Sequence, residues 1–291
     1  MKINFYNDKT CTIIGLIVNS FLVIIKFLTG ILGKSHTMIA DALHSLSDEI
    51  ATLAVYFSIS FSKKPADRNH PYGHGNFEVL ISIFVAILIF ITGVFLGYSA
   101  IHTLLHKHYT TPESITIYIA IVSIITKEFL YRYTFSVGKK LNSPMLIANS
   151  YDHRSDAFSS IGALIAIVAA KLGILVMDSI GSVIISIFIL KMSIDILKEN
   201  ALIIMETTPS ERMQNEIDNL ISSVDGVYNS SNTKIHRVGR DFFIETEIQV
   251  DKELTLQEAH NIAEEVKKVL KNYNAQIKDI TVHIEPKNKM E

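Results

Sequence analysis

Long apolar runs alternate with short polar interruptions through most of the chain. A helix rises 1.5 Å per residue, so about 20 apolar residues are needed to cross the hydrocarbon core of a bilayer. Six runs meet that length, and they lie near residues 12 to 33, 36 to 61, 78 to 101, 114 to 137, 144 to 170 and 174 to 197. The pattern therefore predicts six transmembrane helices.

The pattern changes at about Glu206, beyond which no apolar run is long enough to span a bilayer. Periodicities of helix and strand type alternate there. They predict a helix at 209–224, strands at 234–238 and 242–250, a helix at 255–270 and a strand at 277–284. The order αββαβ indicates a small α/β sandwich in the cytoplasm. We thus expect a membrane domain at 1–205 and a cytoplasmic domain at 206–291.

Charge fixes the expected orientation and excludes some functions. Basic residues are concentrated in the connections after the second and fourth helices, as Lys64, Arg68, Lys139 and Lys140. By the positive-inside rule, these loops and both termini face the cytoplasm, in an inner or plasma membrane. The net charge of −2 argues against nucleic-acid binding. The single cysteine, Cys11, excludes an internal disulfide and a thiolate metal cluster.

Two similar segments, Ile39 to Asp48 and Ile147 to Asp156, lie in the second and fifth runs. Each carries two possible metal ligands four residues apart, which a helix places on one face. These ligands are His44 and Asp48 in the first segment, and Asp152 and Asp156 in the second. A carboxylate at mid-bilayer costs at least ~2.5 to 3.5 kcal/mol, so such a group needs a partner. Hydrogen bonds between helices are one alternative, but two matched pairs favour a divalent cation between the helices.

Histidine nitrogen and aspartate oxygen limit the choice of metal. Zinc, manganese, ferrous iron, cobalt and cadmium all accept such ligands, whereas the absence of thiolate argues against copper(I). Asp41 and Asn149 occupy matched positions three residues before each pair, and we expect them to support the ligands or the packing. Lys127, Glu128 and Arg132 are expected to form an internal salt-bridge set on the fourth helix.

Three motifs together resemble the cation diffusion facilitator family. They run from Ile39 to Asp48, from Asp67 to Gly75 and from Asp152 to Ser160. The resemblance implies six membrane helices, a ferredoxin-like cytoplasmic domain, a homodimer in the lipid bilayer, and export of divalent metal in exchange for protons. It also implies a tetrahedral transport site between the second and fifth helices, made by His44, Asp48, Asp152 and Asp156.

The resemblance bears on the choice of ion as well. Zinc-selective members generally carry histidine at the position of Asp152, whereas manganese-transporting relatives commonly carry aspartate there and aspartate or asparagine at the position of His44. This chain combines one histidine with three aspartates, so Zn²⁺ is favoured only slightly, and Mn²⁺ or Fe²⁺ is also admissible.

Two further metal sites follow from the resemblance. A loop site is expected at Asp67, His70 and His74. A cytoplasmic site is expected at His260, His283 and Glu285, of which the last two stand two residues apart and so share one face of a strand. Other positions of that cytoplasmic site hold Ser231, Glu247 and Ile284 here, which indicates a depleted or altered site.

The predicted function is metal efflux coupled to inward proton movement, because protons compete with a metal for neutral histidine and ionised carboxylate. An importer or channel is a rival within transport. An intramembrane metalloenzyme is another, although the chain contains no His-Glu-x-x-His pattern and we do not expect an enzyme. A metal sensor that binds without transport is the third.

Overall fold

The computed structural model describes residues 8–62, 64–141 and 143–287. The N-terminal residues 1–7, which the sequence predicts to face the cytoplasm, lie outside the described residues. The six long helices are α1 (Asp8–Leu32), α2 (His36–Ser62), α3 (Asn76–His106), α4 (Ser114–Lys140), α5 (Pro144–Lys171) and α6 (Val176–Ile204). Each coincides with one predicted run, and the helical membrane domain is confirmed.

Two helices continue well past their predicted ends. α3 runs on from residue 101 to His106, and α6 from residue 197 to Ile204. The residues added include polar and charged side chains such as His102 and Lys198. An apolar run measures the part of a helix that crosses hydrocarbon, whereas the backbone hydrogen bonds can continue into water.

Four of these helices are long and apolar enough to cross a membrane by composition alone, among the residues that the structure describes. They are α1, α3, α4 and α6. The other two, α2 and α5, are as long but carry the proposed metal ligands. Their polar residues lower their apolar character, so the helices that bear the candidate site are also the least typical membrane spans.

The chain divides into two compact units. One comprises Met1–Ala54 and Phe84–Asp195, and the other Val55–Ile83 and Ile196–Glu291. The first unit contains α1, α4 and α5 and most of α2, α3 and α6. The second contains the end of α2, the start of α3, the loop between them, the end of α6 and the C-terminal part of the chain.

Within the first unit, Asp178 of α6 caps the N-terminus of α2. Its carboxylate accepts hydrogen bonds from Ser35 Oγ at 2.6 Å and from the His36 backbone N–H at 2.6 Å. Asp178 is buried, so these bonds satisfy a charge that water cannot reach. The first N–H groups of a helix lack internal partners and favour a negative charge. These hydrogen bonds fix the position of the N-terminus of α2, the helix that carries His44 and Asp48.

The C-terminal part forms an α/β domain in the predicted order. Its elements are α7 (Glu211–Ser222), β1 (Asn229–Val238), β2 (Asp241–Val250), α8 (Leu256–Tyr273) and β3 (Ile277–Pro286). The sheet order is β1-β2-β3, with β1 and β2 antiparallel and β2 and β3 parallel. Helix α8 makes the crossover that parallel strands require. The core lies between the sheet and both helices, around residues such as Ile221, Ile244, Ile248 and Leu270.

Within the second unit, the loop before α3 contacts the β1–β2 turn. A Cβ on Gly75 would lie 2.5 Å from the Val238 carbonyl oxygen, and Gly239 has a φ of +63°. Only glycine permits such a close backbone approach without strain. The Gly239 N–H donates to Asn76 Oδ1 at 3.0 Å. Arg240 binds both carboxylate oxygens of Glu78, the shortest contact being 2.8 Å.

Candidate metal site

Helices α2 and α5 bring three of the four predicted transport ligands together. The ligand atoms of His44, Asp48 and Asp156 all lie within 4.8 Å of one another, and the three side chains are partly buried. His44 and Asp48 stand one turn apart on α2, as their spacing predicts. The arrangement places one imidazole and two carboxylates around a single point.

One atom of this group has no hydrogen-bond partner among the described residues. His44 Nδ1 is buried and makes no hydrogen bond to the described part of the chain. A buried polar atom without a partner costs free energy, which a bound cation would recover by accepting its lone pair. Nitrogen and oxygen donors suit divalent ions of borderline or hard character.

Asp152 does not join this group. It lies on α5 one turn before Asp156 and is exposed. Four residues of α-helix rise about 6 Å, so both carboxylates reach one ion only if the Asp152 side chain turns towards Asp156. Its role as the fourth ligand stays a prediction.

A lysine that the sequence analysis placed elsewhere belongs to the site. Lys127 of α4 is buried, and its Nζ lies 2.6 Å from Asp156 Oδ2. The predicted salt-bridge set on α4 was therefore wrong for Lys127, since it pairs with Asp156, whereas Glu128 pairs with Arg132 at 2.8 Å. The available signal was the apolar helix around Lys127, because ionisable residues within a membrane face the bundle interior.

A second buried lysine binds Asp41. Lys26 Nζ of α1 lies 2.7 Å from Asp41 Oδ2, with both side chains almost fully buried. Lys26 also donates to Ser45 Oγ at 3.3 Å and to Ser160 Oγ at 3.0 Å. Ser160 in turn donates to Asp41 at 3.0 Å. This network joins α1, α2 and α5, so Asp41 serves the packing, as its position in the repeat predicts.

The loop between α2 and α3 brings its three predicted ligands together as well. The ligand atoms of Asp67, His70 and His74 lie within 4.8 Å of one another. Asp67 Oδ1 is 3.2 Å from His70 Nδ1, and Asp67 Oδ2 is 3.4 Å from His74 Nε2. The backbone N–H of His70 donates to the carboxylate, as does that of Asn69, and lowers the pKa of Asp67 below its ordinary value.

The cytoplasmic residues are less closely grouped. His283 Nε2 lies 2.8 Å from Glu285 Oε1 on β3, so the predicted shared face is observed. Glu247 on β2 stands beside His283 in the parallel register. His260 is exposed on α8 and belongs to neither ligand group found among the described residues.

Comparison with known proteins identifies the family. Residues 12–205 match the model of the cation efflux transmembrane domain. Residues 209–287 match the model of the cation efflux protein cytoplasmic domain. This chain belongs to the cation diffusion facilitator family. As a member of that family it is a metal efflux transporter rather than an enzyme, with a helical transmembrane domain and a cytoplasmic C-terminal domain.

Individual relatives of this cation diffusion facilitator match along most of their length. An uncharacterized transporter of Methanocaldococcus jannaschii is 34% identical, over 89% of this chain and 92% of that protein. The manganese efflux system protein MneP of Bacillus subtilis is 31% identical, over 96% of both chains. Magnetosome protein MamB of Magnetospira sp. is 31% identical, over 90% of this chain and 89% of that protein.

Proposed function

We propose that this transporter exports a divalent metal in exchange for protons, and that His44, Asp48 and Asp156 bind the ion during transport. The observation that carries the proposal is the convergence of their ligand atoms within 4.8 Å, from two different membrane helices. Since oxygen-rich sites without thiolate hold their ions less firmly than structural Cys sites, such a site suits a carrier that must release its ion.

Proton exchange follows from the same three side chains. A metal binds neutral imidazole and ionised carboxylate, so every bound proton removes a lone pair that the metal needs. A site that opens to the outside would take up protons and lose the metal. When it reopens to the cytoplasm, it would lose the protons and bind a new ion. The geometry thus supports antiport without any further titrating group.

We propose Mn²⁺ as the ion that the site favours. Asp48 and Asp156 supply two oxygen donors against one nitrogen, and manganese favours oxygen ligands more than zinc does. Two relatives, MneP and MneS of Bacillus subtilis, are named as manganese efflux system proteins. On this ground we prefer Mn²⁺ to Zn²⁺, which the sequence alone favours slightly, and Fe²⁺ is a further candidate. Asp152 would complete the shell as a fourth ligand.

The test of antiport uses purified protein in liposomes that contain a pH-sensitive dye. A Mn²⁺ gradient should drive proton movement by the unchanged protein, and Asp48→Ala and Asp156→Ala should abolish it. Glu128→Ala is the matched control, since Glu128 is an acidic residue on α4 that pairs outside the ligand group. Retained flux in both site variants would refute the proposal.

The ion is tested by competition. Transport of Mn²⁺ should resist an excess of Zn²⁺, Co²⁺ or Cd²⁺, and Asp152→His should shift the preference towards Zn²⁺ because it replaces an oxygen donor by nitrogen. An unchanged order of preference in Asp152→His would remove Asp152 from the shell.

We further propose that the loop group at Asp67, His70 and His74 binds a second ion and that the protein is a homodimer in the cell membrane, with both termini in the cytoplasm. His70→Ala should lower the number of Mn²⁺ ions bound per chain by one and leave the flux measurable. Light scattering of the detergent-solubilised protein should give the mass of two chains.

The cytoplasmic pair, His283 and Glu285, is tested by metal binding. His283→Ala should weaken the binding of metal. Binding that this substitution does not change would leave His283 without a role in it.

A further inference from the structure

The transport site contains a cation of its own. Lys127 reaches from α4 to Asp156, and its Nζ lies 2.6 Å from the carboxylate oxygen. Asp156 is also a member of the ligand group with His44 and Asp48. The lysine ammonium and a metal ion would therefore compete for the same carboxylate.

Charge explains why a lysine is useful there. Two carboxylates in a partly buried site repel each other and lose the hydration that stabilises them in water. The ammonium of Lys127 offsets one of these charges as long as no metal is bound. A divalent ion brings two positive charges to the same place, and two cations in contact with one carboxylate repel each other strongly at low dielectric constant.

We propose that Lys127 is a tethered counter-cation, which occupies Asp156 in the metal-free transporter and must leave that carboxylate when the metal binds. This inference rests on the proposed function of His44, Asp48 and Asp156. Lys127 would then determine the specificity of the site, because its side chain lowers the affinity of the site for every cation and lowers it most for monovalent cations.

The discrimination follows from tethering. A lysine held by its own backbone has a high effective concentration at the site, in the way that any linked ligand does. Na⁺ or K⁺ gains no charge advantage over an ammonium and cannot displace it. A divalent metal has twice the charge and also accepts the lone pair of His44, so it displaces the ammonium.

The other buried lysine shows what a structural lysine looks like in the same protein. Lys26 has three partners, namely Asp41, Ser45 and Ser160, and Asp41 is not in either ligand group of the described chain. Lys127 instead contacts a carboxylate that is 13% exposed and faces the candidate ion position. The two lysines are thus a matched pair, one within the site and one outside it.

The experiment measures Mn²⁺ binding by the full-length protein in detergent, from the electron paramagnetic resonance signal of free Mn²⁺. A background of His70→Ala, His74→Ala and His283→Ala removes the loop group and the cytoplasmic pair. Lys127→Gln should bind Mn²⁺ about 10-fold more tightly, because the metal no longer has to displace an ammonium group from Asp156. Its affinity should also fall when choline chloride is replaced by NaCl, whereas the affinity of the unchanged protein should not.

Two further variants keep the proposal testable if Lys127→Gln folds poorly. Lys127→Arg retains the charge and should weaken Mn²⁺ binding, because a guanidinium binds a carboxylate through two N–H groups. Lys26→Gln removes an equally buried charge whose hydrogen bonds among the described residues go to no proposed ligand, so it should raise the Mn²⁺ affinity of the folded protein less than Lys127→Gln does. Equal or weaker binding by Lys127→Gln, or tighter binding by Lys127→Arg, would overturn the proposal.

Binding measurements distinguish a transport site in which Lys127 has no role from the absence of a transport site. Loss of binding in Asp48→Ala with Asp156→Ala, together with no gain in Lys127→Gln, would leave the transport site in place and remove the role of Lys127. Retained binding in the double aspartate variant would refute the site and the counter-cation together.

Discussion

Replacing Lys26 by methionine should destabilise the protein strongly, although its polar contacts in the described part of the chain go to Asp41, Ser45 and Ser160 and not to a proposed ligand. Its Nζ is 2.7 Å from Asp41 and both side chains are buried, so the substitution leaves a carboxylate without its counter-charge. Breaking such a pair costs about 3–5 kcal/mol. Ser160 still donates to Asp41, which places the expected cost at the lower end, about 3 kcal/mol.

Substitution of Asp41, the ion-pair partner of Lys26, measures how strongly the two charges depend on each other. Asp41→Asn alone should cost a similar amount, because it leaves the buried ammonium of Lys26 without the carboxylate that balances its charge. The double variant contains no unpaired charge and should cost about as much as either single change, so the two positions should show a coupling of about 2 kcal/mol or more.

The assay is unfolding in mixed micelles with increasing dodecyl sulfate, followed by circular dichroism. Arg132→Met is the matched control, since Arg132 pairs with Glu128 at the surface, where such pairs contribute about 0–1 kcal/mol. A cost below about 1 kcal/mol for Lys26→Met, or strict additivity in the double variant, would show that the Lys26–Asp41 pair does not stabilise the fold.

Three other substitutions test the fold and the loop. Gly239→Ala should cost about 1–3 kcal/mol of stability and raise protease cleavage of the loop, because its φ is +63° and its Cβ would meet Gly75 at 2.5 Å; an unaltered melting temperature would contradict this. Ile248→Ala in the sheet should cost about 2–5 kcal/mol by the same unfolding assay, since Ile248 is fully buried. Because the pKa of Asp67 is lowered in the folded protein, its ionised carboxylate stabilises the loop at pH values above 3.8, the ordinary pKa of this group. This stabilisation should disappear as the pH falls through the lowered pKa. The hydrogen-exchange rate of the His70 amide, corrected for its intrinsic pH dependence, should therefore rise in acid in the unchanged protein but not in Asp67→Asn. An equal rise in Asp67→Asn would show that the Asp67 carboxylate does not protect this amide.

The local features of the chain were predictable because they depend on spacing along one element. Apolar runs located all six helices, and alternation located the three strands of the C-terminal domain. The spacing of four residues placed His44 and Asp48 on one face of α2, and the structure confirms that they lie together. These features need no knowledge of how elements pack.

The contacts between elements were not predictable in this way. Lys127 was assigned to neighbours on its own helix, but tertiary packing turned it towards Asp156 on α5. The bond between Arg240 and Glu78 joins residues far apart in sequence and depends on the close approach of Gly75 to the β1–β2 turn. Periodicity reports which face of an element is buried, not which partner it meets.

We propose above that the exported ion binds between α2 and α5, to His44, Asp48 and Asp156. Anomalous X-ray diffraction at the manganese edge, from crystals of the protein grown with Mn²⁺, tests it directly. An anomalous peak should appear in contact with all three side chains, and Asp48→Ala should lose that peak alone. A manganese-loaded crystal with peaks at the loop or C-terminal residues and none at His44, Asp48 and Asp156 would contradict it.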